Sequence, residues 1–386
     1  MQKVLLTSVS AIALSISATA ALASSSTTYD SQEGTGQVAN IDQSGGNYDQ
    51  VGALGAPFDQ NNGAYAGSNT IAITQTGSYN TFGVSAASFQ SGSENVASVT
   101  QNGYHSSVEL QQIGAGNGPS YPAGTDYSIY WSNDVNGGSI VQDSTASYSD
   151  VFLSQNGTGN IFNIGQGGYN NQTTATQVGE NMLWVRQGTL SPDVWWSPFA
   201  ASFDSSSPSE SNSTISVYQN APESFALSNY AALLQGGGNA NSITVTQFGS
   251  TNNADVIQNG SNNVFSSYQA GSGNYVGAEA GDLPDTGSVP LTQVPITQIG
   301  TGNQYYSTQL GVNAIALATQ TGYYNYVYNY QSGENNTIIG AQNGNSNQVY
   351  SWQTGANDTL NYTQAASNNF ISNNQSGSGN TVTIRQ

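Results

Sequence analysis

Glutamine recurs every eleven residues through the C-terminal part of this 386-residue chain. Most of these glutamines open the pattern QxGxxN, as in Gln320-Thr-Gly322 followed by Asn325. A short fixed period predicts one small structural unit stacked on itself, so function is expected in the stack and not in a pocket. The nine positions are Gln298, Gln309, Gln320, Gln331, Gln342, Gln353, Gln364, Gln375 and Gln386.

Each eleven-residue unit has the pattern of one strand and one tight turn. The five residues between Asn and the next Gln alternate between apolar and polar, as in the segment from Asn380 to Gln386, and this alternation is typical of a half-buried strand. Glycine at the second place after Gln suits a turn with positive φ. The predicted fold is all-β, a parallel β-solenoid (cross-β arcade) of 22-residue strand–turn–strand rungs interrupted by irregular loops. The predicted turn glycines are Gly300, Gly311, Gly322, Gly333, Gly344, Gly355 and Gly377.

The alternation places Asn, the second and fourth residues after it, and Gln on the inner face of each rung. Parallel in-register stacking at ~4.8 Å sets identical amides above one another, so they can hydrogen-bond as ladders. Without that stacking, each buried amide would be an unsatisfied group costing about 1–3 kcal/mol. The nine glutamines are therefore predicted to carry assembly together with Asn303, Asn325, Asn336, Asn347, Asn369 and Asn380.

The repeats form blocks separated by stretches rich in Pro, Gly, Ser and aromatic residues. The predicted layout is 1–23 signal peptide, 24–65 loosely ordered segment, 66–117 repeat block, 118–154 insertion, 155–187 repeat block, 188–212 insertion, 213–274 repeat block, 275–295 insertion loop and 296–386 C-terminal repeat block.

The N-terminus indicates export. Lys3 precedes a mostly apolar run that ends in Ala21-Leu-Ala23, so cleavage is predicted after Ala23. The chain has no cysteine, so disulfides cannot staple it. Three basic residues against 22 acidic ones give a net charge of −19, which excludes nucleic acid as an expected partner.

Residues suited to catalysis are scarce. The chain has a single histidine, His105, and no cysteine, so we expect no enzyme activity, catalytic residue, metal or cofactor. Glu334 and Asp358 are predicted to be gatekeepers, because a charge at a stacked turn slows aggregation. A carboxylate-pair glycosidase is the enzymatic alternative.

The repeated pattern SxxxxxQxGxxNxxxxxQ resembles that of curlin, the subunit of curli fibres, most cleanly over 296–386. The resemblance implies a subunit that is secreted unfolded through a dedicated outer-membrane channel and polymerises with itself outside Gram-negative cells. The product would be an amyloid fibre of a biofilm matrix, in which this chain is the major subunit, the nucleator or a specialised variant. Its length and its Pro-bearing insertions depart from the family pattern.

The predicted function is therefore a secreted structural subunit of extracellular amyloid fibres for adhesion and aggregation. The alternative from the residues is a monomeric secreted β-solenoid adhesin or carbohydrate-binding protein. For that alternative, the aromatic pairs Trp195/Trp196 and Tyr130/Trp131 in the insertions are the candidates for contact with a polysaccharide.

Overall fold

The computed structural model describes residues 26–33, 37–43, 48–54, 57–61, 69–76, 78–84, 88–93, 95–101, 104, 106–115, 139–142, 146, 148–158, 160–188, 211–222, 228–277 and 295–386. All regular secondary structure in these ranges is β-strand. In the same ranges, no helix is long and apolar enough to cross a membrane. Three sets of predicted features lie outside the described residues. They are the signal peptide 1–23 with its cleavage site at Ala23, the single histidine His105, and the aromatic pairs of the insertions.

The chain divides into two compact units, Met1–Asn212 (unit 1) and Ser213–Gln386 (unit 2). The described strands of unit 1 are β1 (Thr27–Thr28), β2 (Asp30–Glu33), β3 (Val38–Asp42), β4 (Gln50–Val51), β5 (Phe58–Asn61), β6 (Thr70–Gln75), β7 (Thr81–Phe82), β8 (Phe89–Ser93), β9 (Val96–Gln101), β10 (Ser107–Ala115), β11 (Ser139–Gln142), β12 (Asp150–Thr158), β13 (Ile161–Gln166), β14 (Gln172–Val178) and β15 (Asn181–Gln187).

The described strands of unit 2 are β16 (Thr214–Asn220), β17 (Asn229–Gly236), β18 (Ser242–Ser250), β19 (Asn253–Ser261), β20 (Val264–Ser272), β21 (Tyr275–Val276), β22 (Ile296–Thr301), β23 (Gln304–Val312), β24 (Ile315–Tyr323), β25 (Tyr326–Glu334), β26 (Thr337–Asn343), β27 (Gln348–Ala356), β28 (Thr359–Gln364), β29 (Phe370–Ser378) and β30 (Thr381–Arg385).

The strands of unit 1 form two parallel sheets. One sheet has the order β1, β4, β7, β10, β12, β14, with β2, β5 and β8 joined to it beside β10, and the other has the order β3, β6, β9, β11, β13, β15. Strand β10 pairs with β7 through Ser107 and Thr81 and with β8 through Gln111 and Phe89. Strands β7 and β8 therefore pair with the beginning and the end of the same strand, β10, and residues 83–88 connect them.

Unit 2 has the same construction with longer strands. One sheet has the order β16, β18, β20, β23, β25, β27, β29, and the other has the order β17, β19, β21, β24, β26, β28, β30, with β22 also between β19 and β24. Neighbours are parallel and in register, so Gln331 of β25 lies between Gln309 and Gln353. This confirms the all-β parallel solenoid predicted from the repeat.

The inner face of each rung is the one that the alternation predicts. Strand β25 buries Val327, Asn329 and Gln331, while Tyr326 and Tyr328 point outward. Apolar side chains in the middle of the strands form the core, and each contributes about 1.5–3 kcal/mol through burial. In unit 2, side chains pack on the same position of the next rung, so the core between the two sheets of this unit continues from rung to rung.

The structure differs from the predicted layout in three places. The segment 24–65, predicted to be loosely ordered, contains the paired strands β1 to β5. The predicted insertion 118–154 contains β11 and the start of β12, which the sequence pattern missed because Gln142 is not followed by Gly and Asn. The insertion 275–295 begins inside a rung, since β21 and β22 both pair with β19 and β24.

Candidate functional site

Two columns of glutamines run through unit 2, one on each sheet, and every member except Gln386 is buried. Each Nε2 donates to the Oε1 of the glutamine one rung further along the chain, at 2.8–3.2 Å. The nine glutamines predicted from the C-terminal repeat all lie in these columns. The first column is Gln219, Gln247, Gln269, Gln309, Gln331, Gln353 and Gln375, and the second is Gln235, Gln258, Gln298, Gln320, Gln342, Gln364 and Gln386.

Unit 1 contains two columns with the same donor direction. Their Nε2 to Oε1 distances are 2.6–3.0 Å. One column is Gln32, Gln60, Gln90, Gln112, Gln155 and Gln177, and the other is Gln43, Gln75, Gln101, Gln142, Gln166 and Gln187.

Sequence analysis named the nine C-terminal glutamines and not the other members of the columns, some of which lack the turn pattern. Gln32, Gln60, Gln142 and Gln219 are not followed by a complete GxxN pattern. The signal that could have identified Gln219 precedes it, because Ile215 and Val217 alternate with polar residues and are buried. The strand pattern ahead of a glutamine is therefore a better marker of a rung than the turn pattern that follows.

The hydrogen bonds of each column glutamine extend to the main chain. Gln320 accepts from Gln298 at 2.9 Å and donates to Gln342 at 2.9 Å. Its second N–H donates to the main-chain oxygen of Gln304, in the opposite sheet, at 3.0 Å. An amide has two donors and one acceptor oxygen, so this fully buried side chain is satisfied while it ties two rungs and two sheets together.

Four of the six predicted asparagines are buried, but their bonding differs from a simple side-chain ladder. Asn325 Nδ2 donates to the main-chain oxygen of Gly344 in the next rung at 2.8 Å, and its Oδ1 accepts the main-chain N–H of Asn347 at 3.1 Å. Asn303 bonds in the same way to Gly322 and to Asn325. The asparagines therefore fasten each turn to the turn above through the main chain. Asn303, Asn325, Asn336 and Asn347 are fully buried, and Asn369 and Asn380, near the end of the stack, are half-buried.

The predicted turn glycines stack on one another. Gly311 and Gly333 have φ of 149° and 111°, in the region that favours glycine. A Cβ on Gly311 would overlap the main-chain oxygen of Gly333 in the next rung. The turn therefore requires glycine for its conformation and for its close packing. The other predicted turn glycines, Gly300, Gly322, Gly344, Gly355 and Gly377, have φ between 113° and 139°.

The two predicted gatekeepers lie in different environments. Glu334 is exposed at the end of β25. Asp358 is fully buried, and its Oδ1 accepts from the main chain and side chain of Asn380 at 2.9 and 2.8 Å, while Oδ2 has no hydrogen-bond partner among the described residues. Asp358 therefore occupies an asparagine position of the stack and is not a charge at an exposed turn. Because Asp and Asn have the same shape, the sequence pattern did not distinguish these two roles.

A second acid takes an asparagine position in unit 1. Asp49 is fully buried and accepts the main-chain N–H of Asn80 at 2.8 Å. Loss of solvation raises the pKa of Asp49 to about 6, against the opposing effect of the hydrogen bonds from Asn80. Burial likewise raises the pKa of Asp30 to about 6 and that of Glu180 to about 7. These raised pKa values predict that the stability of unit 1 depends on pH.

The final rung of unit 2 consists of β29 and β30. Gln375 and Gln386 accept from the glutamines below them, at 2.9 and 3.2 Å. On the far side, no described strand pairs with β29 or β30. Ile384 is only half-buried, whereas Tyr362 in the rung below is 3% exposed. Among the described strands, the far main-chain edges of this rung therefore have no partner strand.

The described residues contain no group of three or more His, Cys, Asp and Glu side chains that could hold a metal ion. Comparison with protein families identifies the type of repeat. Residues 238–266, which include all of β18 and β19 and the beginning of β20, match the family model described as Curlin associated repeat. No curated protein matches the chain.

Proposed function

We propose that this chain, which carries a curlin associated repeat at residues 238–266, is a secreted structural subunit that polymerises with copies of itself into an extracellular amyloid fibre. The observation that supports this most strongly is the polarity of the glutamine columns. Every inter-rung Gln–Gln bond given above runs from Nε2 to the Oε1 of the following rung, so each rung offers donors on one side and acceptors on the other.

The final rung of unit 2 has the properties of a template. Open edges of parallel strands add further strands readily, and in-register stacking of identical amides strengthens that addition. Within the chain, Oε1 of Gln375 and Oε1 of Gln386 accept from Nε2 of Gln353 and Nε2 of Gln364. In the same way, glutamine Oε1 atoms of an added copy would accept from Nε2 of Gln375 and Gln386. Addition would also cover Ile384.

The charge of the chain sets a condition on assembly. With a net charge of −19, copies repel one another at low ionic strength. Stacking of identical rungs brings like charges close together, so exposed acids such as Glu334 oppose polymerisation until salt screens them. We therefore propose that polymerisation is faster at physiological ionic strength than in dilute buffer.

The proposal extends to location and partners. The signal peptide predicted at 1–23 would direct export, and the curlin-type repeat favours a fibre of a Gram-negative biofilm matrix that serves adhesion. A dedicated outer-membrane channel and a nucleator subunit are the proposed partners of secretion and of initiation. In this role the chain acts as a scaffold and not as an enzyme.

The proposal is tested by diluting the mature chain, residues 24–386, from denaturant at micromolar concentration. We expect thioflavin T fluorescence to rise and aligned fibres to give reflections near ~4.8 Å and ~10 Å. A folded monomer that persists for days would contradict polymerisation and favour the adhesin alternative.

A matched pair of variants in the final rung tests the template. Gln375→Leu removes an inward amide from the exposed face, whereas Asn374→Leu changes the adjacent outward residue. We expect seeded elongation to slow about tenfold in Gln375→Leu, since one hydrogen bond to an added copy is worth about 1 kcal/mol and an orphaned partner costs more. Equal rates for the two variants would show that elongation does not use this face.

A further inference from the structure

Five tyrosines form a column along one corner of unit 1. Ring centroids are separated by 5.0 Å for Tyr48 and Tyr79, 5.7 Å for Tyr79 and Tyr104, 6.1 Å for Tyr104 and Tyr148, and 5.4 Å for Tyr148 and Tyr169. The first pair is stacked and the others meet edge to face. Each ring is therefore within packing distance of the ring in the next rung.

The main chain at this corner is unfavourable for tyrosine. Tyr48, Tyr79 and Tyr148 have φ of 58°, 58° and 54°. Bulky residues rarely adopt this conformation, and Asn is the ordinary non-glycine choice, as at Asn262 and Asn368 in unit 2. A strained conformation costs about 1–3 kcal/mol and is retained where the side chain has a use. Tyr324 in unit 2 has the same conformation, with φ of 57°, so the feature that distinguishes the column is the contact between rings of successive rungs.

The rings are accessible to small reagents. The five tyrosines are 41–52% exposed, so a solvent-borne oxidant can reach each phenol. All five positions are tyrosine although the chain also has 11 phenylalanines, and phenylalanine would stack as well. With no cysteine in the chain, oxidation cannot link rungs through disulfides, whereas adjacent phenols can couple.

We propose that this tyrosine column is an oxidative cross-linking site, at which hydrogen peroxide and a peroxidase couple neighbouring phenols into dityrosine and join consecutive rungs covalently. The peroxidase takes one electron from each of two phenols, and the O–H protons pass to water. The two radicals form a carbon–carbon bond at the positions ortho to oxygen. The two displaced ring hydrogens return to the oxygens as protons, so two tyrosines and one peroxide yield one dityrosine and two waters.

The folded column makes coupling selective, because fixed neighbours react far faster than groups that must meet by diffusion. Tyr323 and Tyr324 in unit 2 are more exposed, at 54% and 66%, and serve as the internal reference. If exposure alone governed oxidation, these two residues would couple at least as often as the column.

The test is oxidation of the folded full-length mature chain by a haem peroxidase and hydrogen peroxide, followed by peptide mapping of dityrosine links. We expect links between column neighbours to exceed links to Tyr323 or Tyr324 about tenfold, and the preference to disappear when the chain is oxidised in denaturant. Equal yields at the column and at the reference tyrosines in the folded chain would overturn the proposal.

A pair of double variants separates the phenols from the rings. Tyr79→Phe/Tyr148→Phe keeps all five rings but leaves no two adjacent phenols in the column, so the mapped yield of dityrosine links within the column should fall at least about fivefold. The mapped yield is used because Tyr306 and Tyr326, and Tyr326 and Tyr350, are also neighbours, with ring centroids 5.7 and 5.3 Å apart, and can couple independently. Tyr323→Phe/Tyr324→Phe should leave the mapped yield within about twofold. An unchanged yield in the first variant would overturn the proposal. If that variant folds poorly, the peptide map of the wild-type chain still tests the proposal. Neither measurement requires copies of the chain to polymerise.

Discussion

The ring of Tyr362 lies over Gly340, in the space that a Cβ on residue 340 would occupy. The two residues are register partners in β26 and β28, and both face the interior. Tyr362 is 3% exposed, and its hydroxyl has no hydrogen-bond partner among the described residues. Burial raises the pKa of this hydroxyl well above its ordinary value. One rung therefore lacks a side chain so that the next rung can hold a large one.

The first prediction follows from this packing. Gly340→Ala should lower the free energy of unfolding by about 1–3 kcal/mol or more, because the added methyl overlaps the Tyr362 ring. The measurement is chemical denaturation of the soluble chain, with hydrogen exchange in β26 and β28 to localise the effect.

The control for this prediction is the same substitution in a Tyr362→Ala background. There the methyl meets no ring, and replacing a strand glycine with alanine should be neutral or stabilising by about 0.5–1 kcal/mol. A Gly340→Ala cost that is the same in both backgrounds would show that the two residues are not coupled.

The second prediction concerns the glutamine columns. Gln342→Leu leaves Gln320 Nε2 without its side-chain acceptor and Gln364 Oε1 without its donor. At about 1–3 kcal/mol for each orphaned buried group, we expect a loss of about 2–4 kcal/mol and slower fibre elongation. The matched control is Gln348→Leu, which changes an exposed outward glutamine and should change stability by less than about 0.5 kcal/mol. Similar losses in both variants would contradict the inward register.

The third prediction separates the two acids first expected to act alike. Glu334→Gln should shorten the polymerisation lag at low salt and have little effect at high salt, because the lost charge is exposed and screened. Asp358→Asn should stabilise the fold by about 1–2 kcal/mol at any salt concentration, because an amide nitrogen replaces the unpartnered Oδ2. A strongly salt-dependent effect of Asp358→Asn would contradict its burial.

The fourth prediction is a pH dependence in unit 1. The pKa of Asp49 is about 6 in the folded chain and about 3.9 in an unfolded one, so between these values the folded state binds more protons. Stability should therefore fall as the pH rises from about 4 to 6, and the loss should be complete above that window. Asp49→Asn should remove part of this dependence of stability on pH and should stabilise unit 1 at pH 7.5. Asp30 and Glu180, whose pKa values are also raised, account for the remaining pH dependence. The readout is hydrogen exchange of the Asn80 amide, and stability that increases with pH would reverse the sign argued here.

Much of the stack was predictable because its residues repeat at a fixed distance. Gln320, Gln342 and Gln364 are 22 residues apart, so the same side chain faces the core in successive rungs and the alternation defines its direction. Where the spacing changes, prediction failed. Gln101, Gln142 and Gln166 form one column although they are 41 and 24 residues apart in sequence.

The sequence by itself determined the period, the alternation and the inner face, because these depend only on local spacing and on the two-residue periodicity of a strand. Tertiary structure decided the partners that adjacent rungs supply to one another. The Oδ1 of Asn325 bonds to a main-chain N–H, Asp358 is buried, Tyr362 lies over Gly340, and the tyrosine column joins Tyr104 and Tyr148, which are 44 positions apart in sequence. Those contacts depend on the lateral offset and the turn geometry of one rung relative to the next, which a repeat pattern does not encode.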